Sequence, residues 1–90
     1  MSVVLTRHAE ARADERISWS PAILQKMAAR ALEFGRPPAG FSGRFRRYLD
    51  GKAPAHGTRL RVYGQHLYCF GTEDALVTVF PLPSEFHKHL

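Results

Sequence analysis

The hydrophobic period changes once along this chain of 90 residues, and that change constrains the fold more than any other feature. Between Ile23 and Leu32, apolar residues recur at the three- and four-residue spacing of an amphipathic helix. From Thr58 to Tyr63, polar and apolar residues alternate as in a half-buried strand. This order predicts a two-layer α+β domain. Two or three N-terminal helices are expected to pack on a C-terminal antiparallel β-meander of three to four strands.

Two of the helices have clear start signals. Thr6 is a suitable N-cap for a first helix over residues 6–17. Ser20-Pro21 places a hydroxyl cap before a proline in the first helical position, and it begins a second helix over 20–34. Gly35 stands where a C-terminal cap is expected.

A short third helix is predicted over residues 43–50, with Ser42 as its cap. Its inward-facing residues are Phe45, Tyr48 and Leu49. Its outward-facing residues are Arg44, Arg46 and Arg47. The alternative is a weakly ordered segment, because proline and glycine are frequent around it.

The β-meander is predicted over residues 58–80. Gly64-Gln65 suits a two-residue hairpin turn, with glycine in its first central position. A second turn over 71–74 leads to a strand over 75–80, which is apolar enough to be covered on both faces. The remaining tail, 84–90, is expected to be frayed or weakly helical.

Charge and size indicate a small domain that binds an anion. Ninety residues suffice for a single domain, 1–90. The net charge is +5, and ten of the thirteen cations are arginine, which binds phosphate in bidentate fashion. Nucleic acid is the commonest partner of such a chain, so RNA or another nucleic acid is predicted. The alternative is a basic protein whose charge only keeps it soluble.

Several functional classes are not indicated. Cys69 is the only cysteine, so neither a disulfide framework nor a cysteine-based metal site is predicted. His87 and His89 are too poorly spaced for a metal site, and no cofactor is expected. The apolar start is too short for a signal peptide, and no run reaches the length of a membrane span. A cytoplasmic protein without a membrane partner is therefore predicted.

The first helix carries the most suggestive motif. His8, Arg12 and Arg16 are four residues apart and therefore share one helical face. An imidazole followed by two guanidinium groups indicates phosphate handling. The alternative is that the arginines pair with nearby carboxylates on a solvated face.

This motif, with Tyr63-Gly64 in the first hairpin and Leu76-Val77-Thr78-Val79 in the last strand, resembles a family of small bacterial and phage proteins. That family looks related to the ribonuclease folds of RelE, colicin D and barnase. The resemblance spans most of residues 6–80 and implies a toxin-type, metal-independent endoribonuclease. Two departures are Ile17, where a glycine is often found, and a longer connector over 36–56.

Metal-independent RNA cleavage requires a base, an acid and cations that stabilise the phosphorane. His8 is suited to proton transfer. Arg12 and Arg16 can stabilise the developing charge, and Thr78 can donate a hydrogen bond to a phosphate oxygen. The predicted catalytic residues are therefore His8, Arg12, Arg16 and Thr78. The predicted nucleic-acid-binding residues are Arg44, Arg46, Arg47, Arg59, Arg61, Tyr63 and His66.

Two other functions compete with catalysis. The chain would be a non-catalytic nucleic-acid-binding module if its charge serves only to hold phosphates. It would be a protein-binding accessory factor of phage type if its exposed edge strands pair with a partner, such as an antitoxin or a host factor.

Overall fold

The structure is a computed structural model that describes residues 3–52 and 58–90. It confirms the α+β class, with the helices preceding most of the sheet. The helices and strands, in chain order, are β1 (Val4–Leu5), α1 (Arg7–Ile17), α2 (Pro21–Phe34), α3 (Gly43–Asp50), β2 (Arg59–Tyr63), β3 (His66–Phe70) and β4 (Ala75–Pro81). Short 3₁₀ helices lie at Pro38–Gly40, Thr72–Asp74 and Ser84–His89.

All three helices begin where predicted, and two of the three predicted caps form a side-chain hydrogen bond. The Thr6 hydroxyl accepts a hydrogen bond from the Ala9 N–H at 3.1 Å, and the Ser20 hydroxyl accepts one from the Ile23 N–H at 3.4 Å. Ser42 occupies the cap position of α3, but its side chain makes no capping hydrogen bond. The third helix nevertheless forms, because Phe45 and Leu49 on its inner face are buried.

The sheet is mixed, which corrects the predicted antiparallel meander. Its strand order is β1-β4-β3-β2. β2, β3 and β4 are antiparallel neighbours, but β1 pairs with β4 in parallel. A strand of two residues has no readable alternation, and its partner lies about seventy positions further along the chain. Local sequence patterns therefore could not reveal it.

Turn geometry sets the register of the strands. Gly64 has a φ of +61°, as the first central position of the predicted hairpin requires. Between β3 and β4 the register shifts by one residue, so that Cys69 pairs with Thr78 while Phe70 pairs with Leu76. This bulge places both Leu76 and Val79 in the core on the same side of the sheet, although their spacing of three would otherwise separate them.

Helices cover both faces of the sheet, so the domain has three layers instead of the predicted two. On the first face, α1 buries Ala13, and α2 buries Leu24 and Ala28, in one core with Tyr68. On the second face, α3 buries Phe45 against a separate core that includes Leu67. β3 is buried on both faces, because every residue after His66 in that strand is apolar or aromatic.

The C-terminal segment packs on the second face as well. Phe86, in the 3₁₀ helix Ser84–His89, is 5% exposed and stacks on Phe45 with ring centroids 5.0 Å apart. Residues 84–90 were expected to be either frayed or weakly helical. The structure agrees with the helical alternative and not with the frayed one. Of the helices in the described ranges, none is both long enough and apolar enough to cross a bilayer.

Thr6 makes contacts that Ser20 lacks, and stability measurements should separate the two caps. Besides capping α1, the Thr6 hydroxyl donates a hydrogen bond to the Leu76 carbonyl at 2.8 Å, which ties the helix to β4. Thr6→Val should lower the unfolding free energy by about 2 kcal/mol, since a cap and a half-buried hydrogen bond are lost together. Ser20→Ala should cost about 0.5–1 kcal/mol in the same urea titration. Equal costs would contradict the anchoring role of Thr6.

Candidate nucleic-acid interface

The predicted stripe on α1 exists, but its three residues have different surroundings. His8 is exposed in the first turn. The Arg12 guanidinium pairs with the Glu15 carboxylate at 2.7 Å, while its Nε atom is buried without a partner in the described structure. Arg16 turns away from these two and contacts the sheet.

Arg16 covers the open edge of β4. Within residues 3–52 and 58–90, β1 pairs with Ala75 and Leu76 of β4, and the outer edge of β4 has no strand partner beyond them. There the Arg16 guanidinium donates a hydrogen bond to the Val79 carbonyl at 3.1 Å. Its guanidinium carbon also lies 4.4 Å from the centroid of the Phe80 ring. The side chain therefore protects the sheet edge and ends beside the α3-covered face.

The structure separates Thr78 from His8 and Arg12. Thr78 is directly opposite Cys69, and directly opposed residues share a face, so its side chain lies on the α3 side of the sheet. The residue is 3% exposed, and its hydroxyl is buried without a partner among the described residues. A phosphate held by His8 and Arg12 would not reach it. The four predicted catalytic residues do not converge on one pocket.

His66 is likewise far from His8. Its ring lies 4.6 Å from the ring of Trp19, which follows the C-terminal end of α1. His8 is in the first turn of the same helix, and α1 spans 11 residues, or about 16 Å at the usual helical rise. The two imidazoles therefore cannot act as an acid–base pair on one phosphate.

The predicted nucleic-acid-binding residues are divided between two surfaces. Arg59, Arg61 and Tyr63 alternate with buried residues of the α3-side core, so they face the α1–α2 side of the sheet. Arg59 pairs with Asp74 at 2.6 Å, and the Arg61 guanidinium donates to the Leu60 carbonyl at 2.8 Å. A carboxylate thus neutralises Arg59, whereas Arg61 forms no ion pair within the described ranges.

Cations and aromatic rings alternate along the α3 side of the molecule. We call this feature the cation–aromatic row, which consists of Arg44, Phe86, Tyr48, Lys52, Phe80 and Arg16. At its first end, the Arg44 guanidinium carbon lies 5.8 Å from the centroid of the Phe86 ring, and the Phe86 and Tyr48 rings are 5.1 Å apart. These contacts join α3 to the C-terminal 3₁₀ helix.

The second half of the row links α3 to α1. The Lys52 ammonium nitrogen lies 5.3 Å from the Tyr48 ring and 5.3 Å from the Phe80 ring. Arg16 lies over the same Phe80 ring, and its charge also acts on Cys69. Burial raises the pKa of the Cys69 thiol to about 12, which the Arg16 charge partly offsets. The thiol therefore stays protonated and unreactive, as predicted for a buried cysteine.

Carboxylates neutralise only part of this surface. Arg44 pairs with Glu85 at 3.2 Å, and Arg46 pairs with Asp50 at 3.1 Å. Arg47, exposed on the outer side of α3, forms no ion pair within the described ranges, and the same holds for Lys52 and Arg16. Three cations on one side of the molecule are therefore available to an anionic ligand.

Metal ligation is not indicated by the arrangement of donors: residues 3–52 and 58–90 contain no group of three or more His, Cys, Asp or Glu side chains that could hold an ion. Burial, followed by the charge of Glu85, raises the pKa of Tyr48. Its phenol is therefore neutral at physiological pH and can donate a hydrogen bond to a phosphate oxygen.

Comparison with known proteins gives no relative: no family model matches this chain, and neither the curated proteins nor the solved structures yield a significant match. The resemblance to toxin-type ribonucleases therefore stays a prediction from the motifs.

The sequence analysis did not predict four members of the row as binding residues. Phe80 reads as part of a strand covered on both faces, Tyr48 as an inward-facing residue of α3, Phe86 falls in the tail, and Lys52 lies in the connector. Arg44 and Arg47 were both predicted binding residues; the structure places Arg44 over the Phe86 ring and leaves Arg47 exposed on the outer side of α3. The usable signal was the clustering of arginine on the outer positions of an eight-residue helix.

Because Arg16 covers the edge of β4, we expect its replacement to lower the stability of the protein more than replacement of Arg7 on the same helix does. Arg16→Met keeps the aliphatic stem but removes the hydrogen bond to β4 and the cation–π contact. We expect it to lower the unfolding free energy by about 1 kcal/mol, since the side chain is partly solvated. Arg7→Met, on the exposed side of the same helix, should change it by less than about 0.5 kcal/mol. Indistinguishable urea midpoints would contradict this role.

His66 predicts a pH dependence of stability. Burial, followed by the charge of nearby His87, lowers its pKa in the folded state. The unfolded chain therefore binds a proton at His66 more tightly than the folded chain does. The contribution of neutral His66 to the free energy of unfolding is complete above the ordinary histidine pKa, about 6.5, and it is lost as the pH falls below that value. Between pH 7.5 and 5.5, the wild-type protein should lose more stability than His66→Gln. Parallel pH profiles from thermal denaturation would contradict this linkage.

Proposed function

We propose that this chain binds single-stranded nucleic acid, RNA above all, through the cation–aromatic row and the exposed Arg47 of α3, and that it does not cleave the strand. The proposal depends on the contacts between cations and aromatic rings along one side of the molecule. In the described structure, three cations on that side, Arg16, Arg47 and Lys52, have no carboxylate partner.

The chemistry of the row suits an exposed strand. Cations bind phosphates and release the counterions that surround them, which provides most of the affinity of such contacts. Tyr48 and Phe80 are half-buried, so each presents part of a ring to solvent. Unstacked bases pair favourably with such rings, whereas the bases of a duplex are hidden from them. This favours a single strand over a duplex.

The ion pair between Arg44 and Glu85 does not oppose binding. The side chains of Arg44 and Glu85 are 73% and 56% exposed, and a pair in such solvated surroundings is worth little. Arg44 can therefore exchange the carboxylate for a phosphate at small cost. Its planar guanidinium then offers two parallel hydrogen bonds to the phosphate oxygens.

Binding without cleavage is supported by the surroundings of His8. The ribonuclease activity implied by the resemblance requires a second proton-transfer group beside this imidazole. Among the described residues, His66 is at the far end of α1 and Thr78 is on the other face of the sheet. A protein partner, such as an antitoxin or a host factor, stays a prediction.

Salt titrations of RNA binding test the proposal. Arg47→Ala and Lys52→Ala should each weaken binding of a fluorescent single-stranded oligomer in anisotropy measurements. Each should also lower the slope of log K against log salt concentration by about 0.7, the value for one phosphate contact on a single strand. The labelled RNA should stay intact, with wild type and His8→Ala indistinguishable on a denaturing gel.

Charge-matched variants on α2 provide the control. Lys26 and Arg30 are exposed on that helix, which covers the opposite face of the sheet. Lys26→Ala and Arg30→Ala lower the net charge by the same amount as Arg47→Ala and Lys52→Ala. They should leave the slope of log K against log salt concentration unchanged. An equal loss in all four variants would show binding by net charge alone and contradict the proposed surface.

A further inference from the structure

An apolar cleft of about 340 Å³ lies at the hairpin end of β2. Its apolar lining consists of Phe34, Phe41, Val62, Tyr63 and Leu90, and Arg36 is the charged side chain that lines it. We propose that this cleft takes one unstacked base of the strand that the cation–aromatic row binds. The inference rests on the proposed function and adds a base-binding subsite to it.

Arg36 is held in place before any ligand arrives. Its backbone N–H and C=O pair with Val62 at 2.9 and 2.8 Å, and its guanidinium donates to the Gly40 carbonyl at 3.0 Å. The guanidinium carbon lies 4.1 Å from the centroid of the Phe41 ring. Most of its five N–H donors are left for a ligand, and little side-chain entropy is lost when they bind.

The rim of the cleft provides a stacking surface and a polar edge. Phe34, the last residue of α2, is 64% exposed, which is the highest value among the large exposed hydrophobic side chains of the described residues. Gln65 is exposed in the hairpin turn, where its backbone carbonyl accepts a hydrogen bond from the Leu82 N–H at 2.9 Å. A fixed turn thus presents an amide that can both donate to and accept from the edge of a base.

The cleft adjoins the cation–aromatic row. The Phe41 ring lies 4.7 Å from the Phe45 ring, which in turn stacks 5.0 Å from Phe86 of the row. A strand on the row would therefore pass close to the cleft.

The lining also distinguishes between ligands. A phosphate alone would make no use of apolar walls, and an aliphatic side chain of a partner protein would make no use of the guanidinium. A nucleobase, with apolar faces and a polar edge, uses both.

Two oligomers of equal length test the inference: a decamer of adenosine and the same ribose-phosphate backbone without bases. Phe34→Ala and Arg36→Lys should each weaken binding of the adenosine decamer by about fivefold or more, since stacking of one base contributes at least that much. Affinity for the base-free backbone should not change. Ile23→Ala, which truncates another exposed apolar residue of α2, is the matched control and should alter neither affinity.

The outcomes separate the subsite from the row. If both variants bind the decamer as wild type does, or lose the same factor on both oligomers, the base subsite is overturned and the row stands. If wild type binds neither oligomer, the proposed function fails and the subsite with it. Amide shifts at Val62 and Gly64 on titration with adenosine monophosphate support the subsite. Shifts with N-acetylphenylalanine amide alone would overturn it in favour of a peptide ligand.

Discussion

The open edge of β4 is the constraint on which the rest of the molecule depends. β1 supplies a strand partner for only two residues of β4, and α1 must cover the remainder of that edge. Ala9 and Ala13 are the fully buried residues of that helix, and their small size lets it lie close to the sheet. Thr6 and Arg16 then satisfy carbonyls of β4 near opposite ends of the helix. Without these contacts, an apolar strand would expose an edge to other chains.

The same arrangement links the two faces of the sheet. Arg16 starts on α1, which belongs to the first face, and its guanidinium ends on Phe80, which packs on the second. A side chain that protects an edge thus also contributes charge to the α3 side. The structural role of Arg16 and the binding role proposed for it therefore fall on one residue, whereas Arg12 is occupied by a carboxylate of its own helix.

Local signals in the sequence predicted most of the fold. Hydroxyl caps, the Ser-Pro start of α2 and the alternation in β2 each act within a few residues, so they could be read directly. The parallel pairing of β1 and the burial of Phe86 could not, because both depend on partners distant in sequence. The two-layer prediction was wrong for the same reason: the apolar run over 75–80 indicated a strand covered on both faces, but not which elements cover it.

The candidate site was less predictable than the fold. Helical spacing correctly placed His8, Arg12 and Arg16 on one helix, but spacing says nothing about which face of the sheet a distant residue such as Thr78 occupies. That depends on strand register and on the bulge next to Cys69. The arginines of α3 were identified because outward helical positions follow from local periodicity. The other two rings of the row, Phe80 and Phe86, come from separate segments and become adjacent to α3 only in the folded chain.

The most direct test of the central claim is a map of amide chemical shifts in the labelled protein during titration with a single-stranded RNA oligomer. The claim is that the α3 side binds the strand, and that the N-terminal end of α1 does not. We expect the largest shifts in α3, at Lys52 and around Phe80, with little change at His8 and Arg12. Shifts concentrated around His8 and β1, with α3 unaffected, would contradict the account.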